Sequence, residues 1–367
     1  MKKTRQLVTI GLLATGLVAL YGCSSDAMQG EEDGDNNGNI QPVELKIRTS
    51  VEMARAATEG VVTGEAFAED DQIAVYANST NYNSTSNNYA VYKLGSTGWV
   101  VEGSDNIYLG TENTKIYAVY PSDLTVEHSS AVTDNTKATN LTLFTGSSSD
   151  EESSRITVPT SPATPPVYTA KGEKDYMYAT PVADKTATAN TAELTMHHAL
   201  AMISFKFYKE STFSGDGSLT TIVLKNLDES TTTLKTGSAS MAIKDGTISD
   251  AADGTSKSLT RYPYTASSAG YTLTTLTDGN KSNLPAFGML VYPNTELQAS
   301  KLQAVFTIDG VAYPVGIPAV ANSSNEWAAG YNTVYTVKMS SKGLGITKVT
   351  VTKWETATVS DDLTPIQ

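Results

Sequence analysis

Residues 329–354 read Ala-Gly-Tyr-Asn-Thr-Val-Tyr-Thr-Val-Lys-Met-Ser-Ser-Lys-Gly-Leu-Gly-Ile-Thr-Lys-Val-Thr-Val-Thr-Lys-Trp. From Tyr331 to Met339, every second residue falls on one face of an extended chain, and that face is aromatic, β-branched or apolar. This period of two predicts a β-strand. A second strand follows almost at once and carries Val349 and Val351. The stretch therefore predicts that this end of the chain is built from strands.

The residues that follow keep the same alternation through Ala357, Val359 and Leu363. We expect this segment to have no partner strand in its own chain, because no further strand follows it. An unpaired strand is a liability in a monomer, but it can join subunits in an assembly that is built by strand addition.

The composition extends this interpretation to the whole chain. Its 367 residues are enough for two domains, and 40 % hydrophobic and 18 % charged residues are typical of a folded protein. Helical periodicity is missing outside the N-terminus, and Thr, Ser, Gly and Tyr are frequent. These features predict an all-β fold with many turns.

Short runs with strand character follow one another at the spacing that turns impose. They are Gln72–Ala77, Tyr89–Leu94, Trp99–Glu102, Lys115–Tyr120, Asp175–Ala179, Thr220–Lys225, Ser238–Lys244, Thr247–Ser249, Tyr271–Leu276, Ala286–Tyr292, Ala304–Ile308 and Val311–Val315. Asp245-Gly246 and Asp309-Gly310 predict hairpin turns whose two central residues both have positive φ. Residues 121–170 are predicted to be irregular, and residues 180–191 to be a linker. The pattern predicts two β-sandwiches that divide near residue 190.

The N-terminus has the features of an export signal. Three basic residues precede an apolar run over residues 7–20, which is too short for a confident membrane span. The run ends in Leu20-Tyr21-Gly22-Cys23-Ser24, which resembles the lipobox of bacterial lipoproteins. Cys23 is the only cysteine, so a disulfide framework is excluded and acylation is its predicted role. An ordinary signal peptide is the alternative.

The charge of the chain excludes one class of partner. Residues 1–22 carry three basic and no acidic residues, so their removal takes the net charge from −13 to −16. Phosphate groups would be repelled, which argues against nucleic acid as a partner. High net charge also keeps an exported protein soluble.

Residues 24–45 are acidic and rich in Gly and Asn, which is typical of a flexible tether. They contain a formal match to a calcium loop, formed by Asp33, Asp35, Asn37, Gly38 and Glu44. No helical pattern flanks the match, and Pro42 interrupts its exit. We therefore predict a tether and no metal site.

Catalytic chemistry is not predicted. The chain has three histidines, His128, His197 and His198, without the spacing of a metal site. Neither a nucleophile elbow nor a Gly-rich phosphate loop is present. Two adjacent histidines on a strand point to opposite faces, so we expect one ring in the core and the other outside. No enzyme activity and no cofactor are predicted.

At this point the chain resembles the fimbrillin family, the pilins of type V pili. Each motif is weak alone, but their order and spacing together are fairly specific. The motifs are the lipobox at Cys23, the Arg55-Ala56 pair, Tyr117-Ala-Val-Tyr-Pro121, Asp175-Tyr-Met-Tyr-Ala179, Leu194-Thr-Met-His-His-Ala-Leu-Ala201, Phe287-Gly-Met-Leu-Val-Tyr-Pro293, and Gly330-Tyr-Asn-Thr-Val-Tyr335 followed by Gly345-Ile346 and Trp354.

The resemblance implies two transthyretin-like β-sandwich domains in tandem and a defined route of assembly. A lipoprotein precursor reaches the outer membrane, and an arginine-specific protease removes its N-terminal segment, here after Arg55. Arg48 is the competing site, but small residues follow Arg55. Loss of the first strand opens a groove, which the C-terminal strand of another subunit fills.

The resemblance also implies the domain limits. They are a signal peptide (1–22), a lipidated tether and propeptide (23–55), an N-terminal sandwich (56–191), a C-terminal sandwich (192–345) and a donor-strand segment (346–367). The predicted donor residues are Val349, Val351, Ala357, Val359 and Leu363.

The predicted function is a structural subunit of a cell-surface fimbria that supports adhesion. Its partners would be other pilin subunits, the protease and a ligand on a host or bacterial surface. Two alternatives stay open. One is a pilus tip or anchor subunit. The other is a surface lipoprotein that binds glycans or proteins without polymerising, with aromatic residues as stacking platforms. The candidate platforms are Tyr82, Tyr89, Tyr92 and Trp99.

Overall fold

The computed structural model describes residues 41–51, 55–56, 62–63, 67–79, 88–149, 151–159, 167–228, 233–276, 281–295, 297–320 and 326–353. Within these ranges the chain forms 29 strands and three short 3₁₀ helices, and none of the helices is long and apolar enough to cross a membrane. The prediction of an all-β fold is therefore confirmed.

The strands of the first half are β1 (Val43–Glu44), β2 (Lys46–Val51), β3 (Arg55–Ala56), β4 (Val62–Thr63), β5 (Gln72–Ala77), β6 (Tyr89–Gly95), β7 (Gly98–Val101), β8 (Tyr108–Leu109), β9 (Thr114–Tyr120), β10 (Thr125–Val126), β11 (Lys137–Leu141), β12 (Arg155–Val158), β13 (Val167–Thr169), β14 (Met177–Ala179) and β15 (Val182–Lys185). A 3₁₀ helix spans Glu152–Ser154.

The strands of the second half are β16 (Thr191–His198), β17 (Ala201–Lys209), β18 (Ser218–Asn226), β19 (Ala239–Ala242), β20 (Ile248–Ser249), β21 (Ser258–Thr265), β22 (Ser268–Ala269), β23 (Tyr271–Thr272), β24 (Thr274–Thr275), β25 (Ala286–Val291), β26 (Leu302–Ile308), β27 (Val311–Gly316), β28 (Tyr331–Ser340) and β29 (Gly343–Lys353). The other 3₁₀ helices span Lys281–Asn283 and Ala299–Lys301.

An eight-stranded sheet, here called the N-terminal sheet, has the order β2-β16-β14-β9-β5-β6-β7, with β15 also paired to β9. Both of its faces are covered. Ile73 and Val75 of β5 lie in one hydrophobic core, whereas Ala74 and Tyr76 lie in a second and larger core. Burial on both faces explains why β5 reads as a nearly continuous apolar run.

Two further sheets face each other across the larger core. The six-stranded sheet has the order β13-β25-β17-β28-β29, with β24 also paired to β17. The seven-stranded sheet has the order β12-β21-β18-β26-β27, with β22 also paired to β21 and β23 to β18. Their contact is aromatic, because the Phe306 ring lies 5.1 Å from the Phe205 ring and 4.9 Å from the Phe207 ring. Together these sheets form a β-sandwich.

Residues 121–170 were predicted to be irregular, and this prediction is wrong. The segment contributes β10 and β11 to a four-stranded sheet with β19 and β20 of the second half. It also contributes β12 and β13, which pair in parallel with β21 and β25 at the edges of the sandwich. Short strands that pair with distant partners have too few residues to show an alternating pattern, so the sequence gives no clear signal.

β16 lies at the predicted division between the two domains, and both strands that it pairs with precede it in the chain. β16 lies between β2 and β14 in the N-terminal sheet, and the chain then enters β17 of the sandwich after Ala199 and Leu200. Residues 180–191, predicted to be a linker, also contain β15. The described residues belong to one compact unit. The division into two domains at residue 191, and their likeness to transthyretin, stay predictions.

The two predicted Asp-Gly turns differ in outcome. Asp309 and Gly310 have φ values of 51° and 76° and join β26 to β27, as predicted. At the other turn only Gly246 has positive φ, at 68°, and the chain forms a wider loop between β19 and β20. The Tyr178 ring fills the space beside Gly246, since an added Cβ would lie 2.2 Å from that ring. The predicted two-residue hairpin at Asp245-Gly246 is therefore not formed, and the wider loop packs against Tyr178 instead.

Phe306→Ala is expected to lower the free energy of unfolding by about 3–5 kcal/mol, because it removes the ring between two sheets and leaves a cavity. Chemical denaturation monitored by circular dichroism would measure the loss. Gln303→Ala, on the half-buried face of the same strand, is the control and should change stability by less than about 1 kcal/mol. Equal losses in the two variants would contradict the assigned core.

Candidate functional site

β2 is an edge strand whose apolar face completes the smaller core. It pairs in parallel with β16, from Lys46 opposite Thr191 to Val51 opposite Met196. Ile47 and Val51 are buried, and so is Leu45 just before the strand, whereas Lys46 is exposed. The period of two along β2 therefore inserts its apolar side chains into the N-terminal sheet and leaves its charges in solvent.

Polar contacts also hold β2 in place. The Leu45 N–H donates to the Ile107 carbonyl at 2.8 Å, and the Leu45 carbonyl accepts from the Tyr92 hydroxyl at 2.9 Å. The Trp99 indole N–H donates to Thr49 Oγ1 at 3.0 Å. Burial raises the pKa of the Tyr92 hydroxyl, which keeps the hydroxyl protonated as a donor. These side chains form fixed polar contacts beside an otherwise apolar groove.

The space around β2 forms a cavity of about 680 Å³. Its lining includes Leu45, Ile47 and their neighbours in the chain, together with Phe67, Tyr92 and Trp99 from the facing elements. The Phe67 and Trp99 rings pack edge to face, with 5.3 Å between their centroids. Removal of β2 would therefore leave an open groove that is lined by apolar and aromatic side chains.

The two candidate cleavage sites differ in their surroundings. Arg48 lies within β2, and its guanidinium is 3.2 Å from the carboxylate of Glu193 in an exposed ion pair. Arg55 and Ala56 form β3, which pairs with β4 through Thr63 and Val62. Cleavage after Arg55 would separate the whole of β2 from the rest of the chain, whereas cleavage after Arg48 would divide β2. Which bond is cut stays a prediction.

The predicted donor residues fall into two groups. Val349 and Val351 belong to β29, where they pair with Tyr335 and Thr333 of β28 and pack half-buried against the larger core. The others lie outside the described residues: Ala357, Val359 and Leu363. In this structure β29 pairs with β28 of its own subunit, so Val349 and Val351 are held within that subunit.

Other predicted positions also lie outside the described residues. These are Cys23, residues 33–38 of the formal calcium loop, and Tyr82. Glu44, the last member of the formal calcium loop, accepts a hydrogen bond of 2.7 Å from the Asn106 side chain. In the part of the chain that the structure describes, no group of three or more His, Cys, Asp or Glu side chains could hold a metal ion.

The adjacent histidines are oriented as predicted. His198 is buried, with Nδ1 2.8 Å from the Asp175 carboxylate, while His197 stacks on the Tyr178 ring at 5.2 Å. His197 Nε2 lies 2.9 Å from the Thr180 hydroxyl. Each histidine thus has a packing role on its own face of β16.

Three of the four aromatic residues considered as glycan platforms lie in the described part of the chain, and all three pack within the protein. Tyr92 is only 2 % exposed, and Tyr89 stacks on His128 with 4.3 Å between ring centroids. Trp99 packs on Phe67 and donates to Thr49. The contacts of Tyr92 with Leu45 and of Trp99 with β2 are features of the candidate site that sequence reasoning missed. No sequence signal marks them, because both residues are ordinary strand aromatics.

The model of the family described as fimbrillin-like matches residues 55–354 of this chain. No curated protein matches this chain. Among solved structures, a candidate cell adhesion protein of Bacteroides uniformis is 15 % identical, with a TM-score of 0.54, and the match covers 85 % of this chain and 99 % of that one.

Two other solved structures are similar. A candidate cell adhesion protein of Bacteroides ovatus is 16 % identical, with a TM-score of 0.52 over 87 % of this chain and 100 % of that one. A fimbrial protein of Bacteroides vulgatus is 13 % identical, with a TM-score of 0.49 over 85 % of this chain and 99 % of that one. At these identities the likeness concerns the fold.

Proposed function

Because this chain belongs to the fimbrillin-like family, we propose that it is a structural subunit of a cell-surface fimbria and that it polymerises by strand exchange. One observation carries the proposal. The edge strand β2 fills an apolar groove of the N-terminal sheet, and it lies on the N-terminal side of Arg55. A single proteolytic cut would therefore separate the strand from the groove that it fills.

The proposed route begins with export of a lipoprotein that is acylated at Cys23 and attached to the outer membrane. An arginine-specific protease then cleaves between Arg55 and Ala56. Departure of β2 exposes the pockets of Leu45, Ile47 and Val51, each of which gains about 1.5–3 kcal/mol when an aliphatic side chain fills it. Once β2 no longer belongs to the chain, a strand from another subunit can take its place.

The proposed donor is the segment after β29, with Ala357, Val359 and Leu363 as its apolar residues. Val349 and Val351 instead fix the start of the donor to its own subunit, because they pair with β28. Groove and donor are different surfaces of one subunit. Contacts of this kind are head-to-tail and do not close, so they generate a filament.

Charge does not drive this assembly. Residues 23–55 contain seven acidic and three basic residues, so cleavage takes the net charge from −16 to −12. Subunits of equal negative charge repel one another, and association must come from burial and strand pairing. The proposed role is structural and requires no cofactor.

The proposal predicts the behaviour of the precursor from residue 24 onward. Incubation with an arginine-specific protease is expected to produce a new N-terminus at Ala56 and a ladder of detergent-resistant oligomers. Arg55→Gln should abolish both, whereas the matched control Arg48→Gln should leave both unchanged. N-terminal sequencing and electrophoresis without boiling would measure these results.

Three results would contradict parts of this proposal. Cleavage after Arg48 with normal ladders would move the processing site. Clean cleavage after Arg55 without ladders would favour a tip subunit. A stable monomer that resists the protease would favour a lipid-anchored adhesin that does not polymerise.

A further inference from the structure

β2 presents a defined series of side chains to its groove. Leu45 just before the strand and Ile47, Thr49 and Val51 within it follow at every second position, in the order apolar, apolar, hydroxyl, apolar. The hydroxyl has a partner, because the Trp99 indole N–H donates to Thr49 Oγ1 at 3.0 Å. The groove therefore offers a hydrogen-bond donor at its third position and apolar pockets at the other three.

One segment of the C-terminal region has the same order of chemical types. Ala357, Val359, Asp361 and Leu363 are apolar, apolar, acceptor and apolar at intervals of two residues. Read in the same direction, no other window of residues 343–367 fits this series. Read in the opposite direction, the one comparable window begins with Pro365, which has no N–H to donate.

We propose that the C-terminal segment of a neighbouring subunit enters the groove parallel to β16 and in the register of β2. Ala357, Val359 and Leu363 then occupy the pockets of Leu45, Ile47 and Val51. Asp361 replaces Thr49 and accepts the hydrogen bond of the Trp99 indole. This inference rests on the proposed strand exchange and names the residue of the donor that sets its register.

The surroundings of the third position suit a carboxylate. Thr49 and Trp99 are both half-buried, so an aspartate placed there keeps part of its hydration. The carboxylate of Glu193 is on the other face of the strand, because it pairs with Arg48 and successive side chains point to opposite faces. Asp361 would thus face the indole donor, and Asp362 would face solvent as Ser50 does.

In the same register, the main chain of the donor segment can form the hydrogen bonds that Leu45 and Lys46 form in the precursor. The N–H groups of Leu45 and Lys46 donate to the carbonyls of Ile107 and Asn190, both at 2.8 Å. Ala357 and Thr358 would take these two positions, and both have an N–H group. The Tyr92 hydroxyl needs only a carbonyl oxygen, which any residue supplies.

The register also predicts a variant that improves assembly. Ala357 is smaller than Leu45, so the first pocket would be incompletely filled. Ala357→Leu restores the side chain that the pocket holds in the precursor. We expect oligomers of this variant to dissociate more slowly than those of the natural chain, because the larger side chain buries more apolar surface in the pocket.

The test uses the full chain from residue 24 after cleavage, with dissociation of its oligomers followed in detergent at rising temperature. Asp361→Ala should dissociate about tenfold faster, since an indole N–H loses its acceptor. Asp361→Thr should restore the natural rate, because Thr49 occupies this position in the precursor. The control Asp362→Ala, on the exposed face, should behave as the natural chain.

The double variant Trp99→Phe with Asp361→Ala distinguishes this contact from a general effect on the segment. Once the indole donor is gone, Asp361→Ala should cause no further loss. Equal losses in Asp361→Ala and Asp362→Ala, or faster dissociation of Ala357→Leu, would overturn the register while strand exchange stands. Absence of oligomers from the natural chain would overturn both.

Discussion

Deleting residues 355–367 is expected to abolish polymerisation completely while the subunit still folds. The described sheets end at Lys353, and β29 keeps its pairing with β28 without the deleted residues. The pairing of the described sheets is therefore kept, and the proposed donor is lost. Electrophoresis without boiling after cleavage should show monomer alone, and circular dichroism should show the strand content of the full chain.

The matched control keeps the length of this segment and removes its pattern. In the triple variant Ala357→Ser, Val359→Ser and Leu363→Ser, the main chain can still pair but no apolar side chain enters the groove. We expect loss of oligomers here too, since strand addition needs side chains in pockets as well as main-chain bonds. Normal oligomers from either variant would place the donor elsewhere in the chain.

Arg261→Met is expected to lower the free energy of unfolding by about 3–5 kcal/mol, because it leaves a buried carboxylate without its cation. Arg261 is completely buried. Its guanidinium is paired with Glu173, and it also donates to the carbonyls of Phe144 at 2.7 Å and Thr260 at 2.8 Å. This network joins β21 to the segments around β12 and β13, so its loss weakens an edge of the sandwich.

The stability that Arg261→Met removes should also depend on pH. Burial raises the pKa of Glu173, while the charge of Arg261 opposes that rise. In the variant the opposing charge is gone and only the backbone hydrogen bond of Leu290 still lowers the pKa of Glu173, so burial keeps the folded pKa above the unfolded value of about 4.3. Stability from such a group is present below the unfolded pKa and is lost as pH rises through the folded pKa. The variant should therefore be more impaired at pH 7.5 than at pH 4.5.

A second arginine of the same region provides the control. Arg155 lies over the Tyr264 ring at 4.6 Å and donates to the Ser149 carbonyl at 2.9 Å, but it is not fully buried. Arg155→Met should cost about 1–2 kcal/mol and show little dependence on pH. Denaturation at the two pH values would measure both variants. Equal and pH-independent losses would contradict the role of a buried charge pair.

The strands that could be predicted from the sequence are those with a regular local pattern. Gln72–Ala77 was predicted with the bounds that β5 has, and the two strands around Asp309-Gly310 were placed by their turn. Such strands are long, alternate clearly or are uniformly buried, and end at residues that favour turns. Local chemistry is then sufficient to define them.

The strands that were missed depend on distant partners. β12 and β13 contain four and three residues, and they are strands because β21 and β25 accept them as parallel neighbours. β15, in the predicted linker, is a strand because β9 pairs with it. Pairing between residues far apart in sequence cannot be inferred from one short run of residue types.

The groove was only partly predictable. The chain pattern indicated an extended segment before Arg55 and an alternating segment after Trp354. It could not indicate that the Tyr92 hydroxyl and the Trp99 indole would contact β2, since these residues come from other strands. The polar requirement of the third pocket therefore became visible only when the strands were placed together.

The most direct test of strand exchange measures binding of a labelled peptide with the sequence of residues 355–367 to a subunit that ends at Lys353. The subunit is compared before and after cleavage at Arg55, with excess peptide present during cleavage. We predict that one peptide binds per cleaved subunit with a change in Trp99 fluorescence, and that the uncleaved subunit, whose groove holds β2, binds none. Equal binding to both forms, or no binding to the cleaved form, would contradict the exchange of β2 for the C-terminal strand.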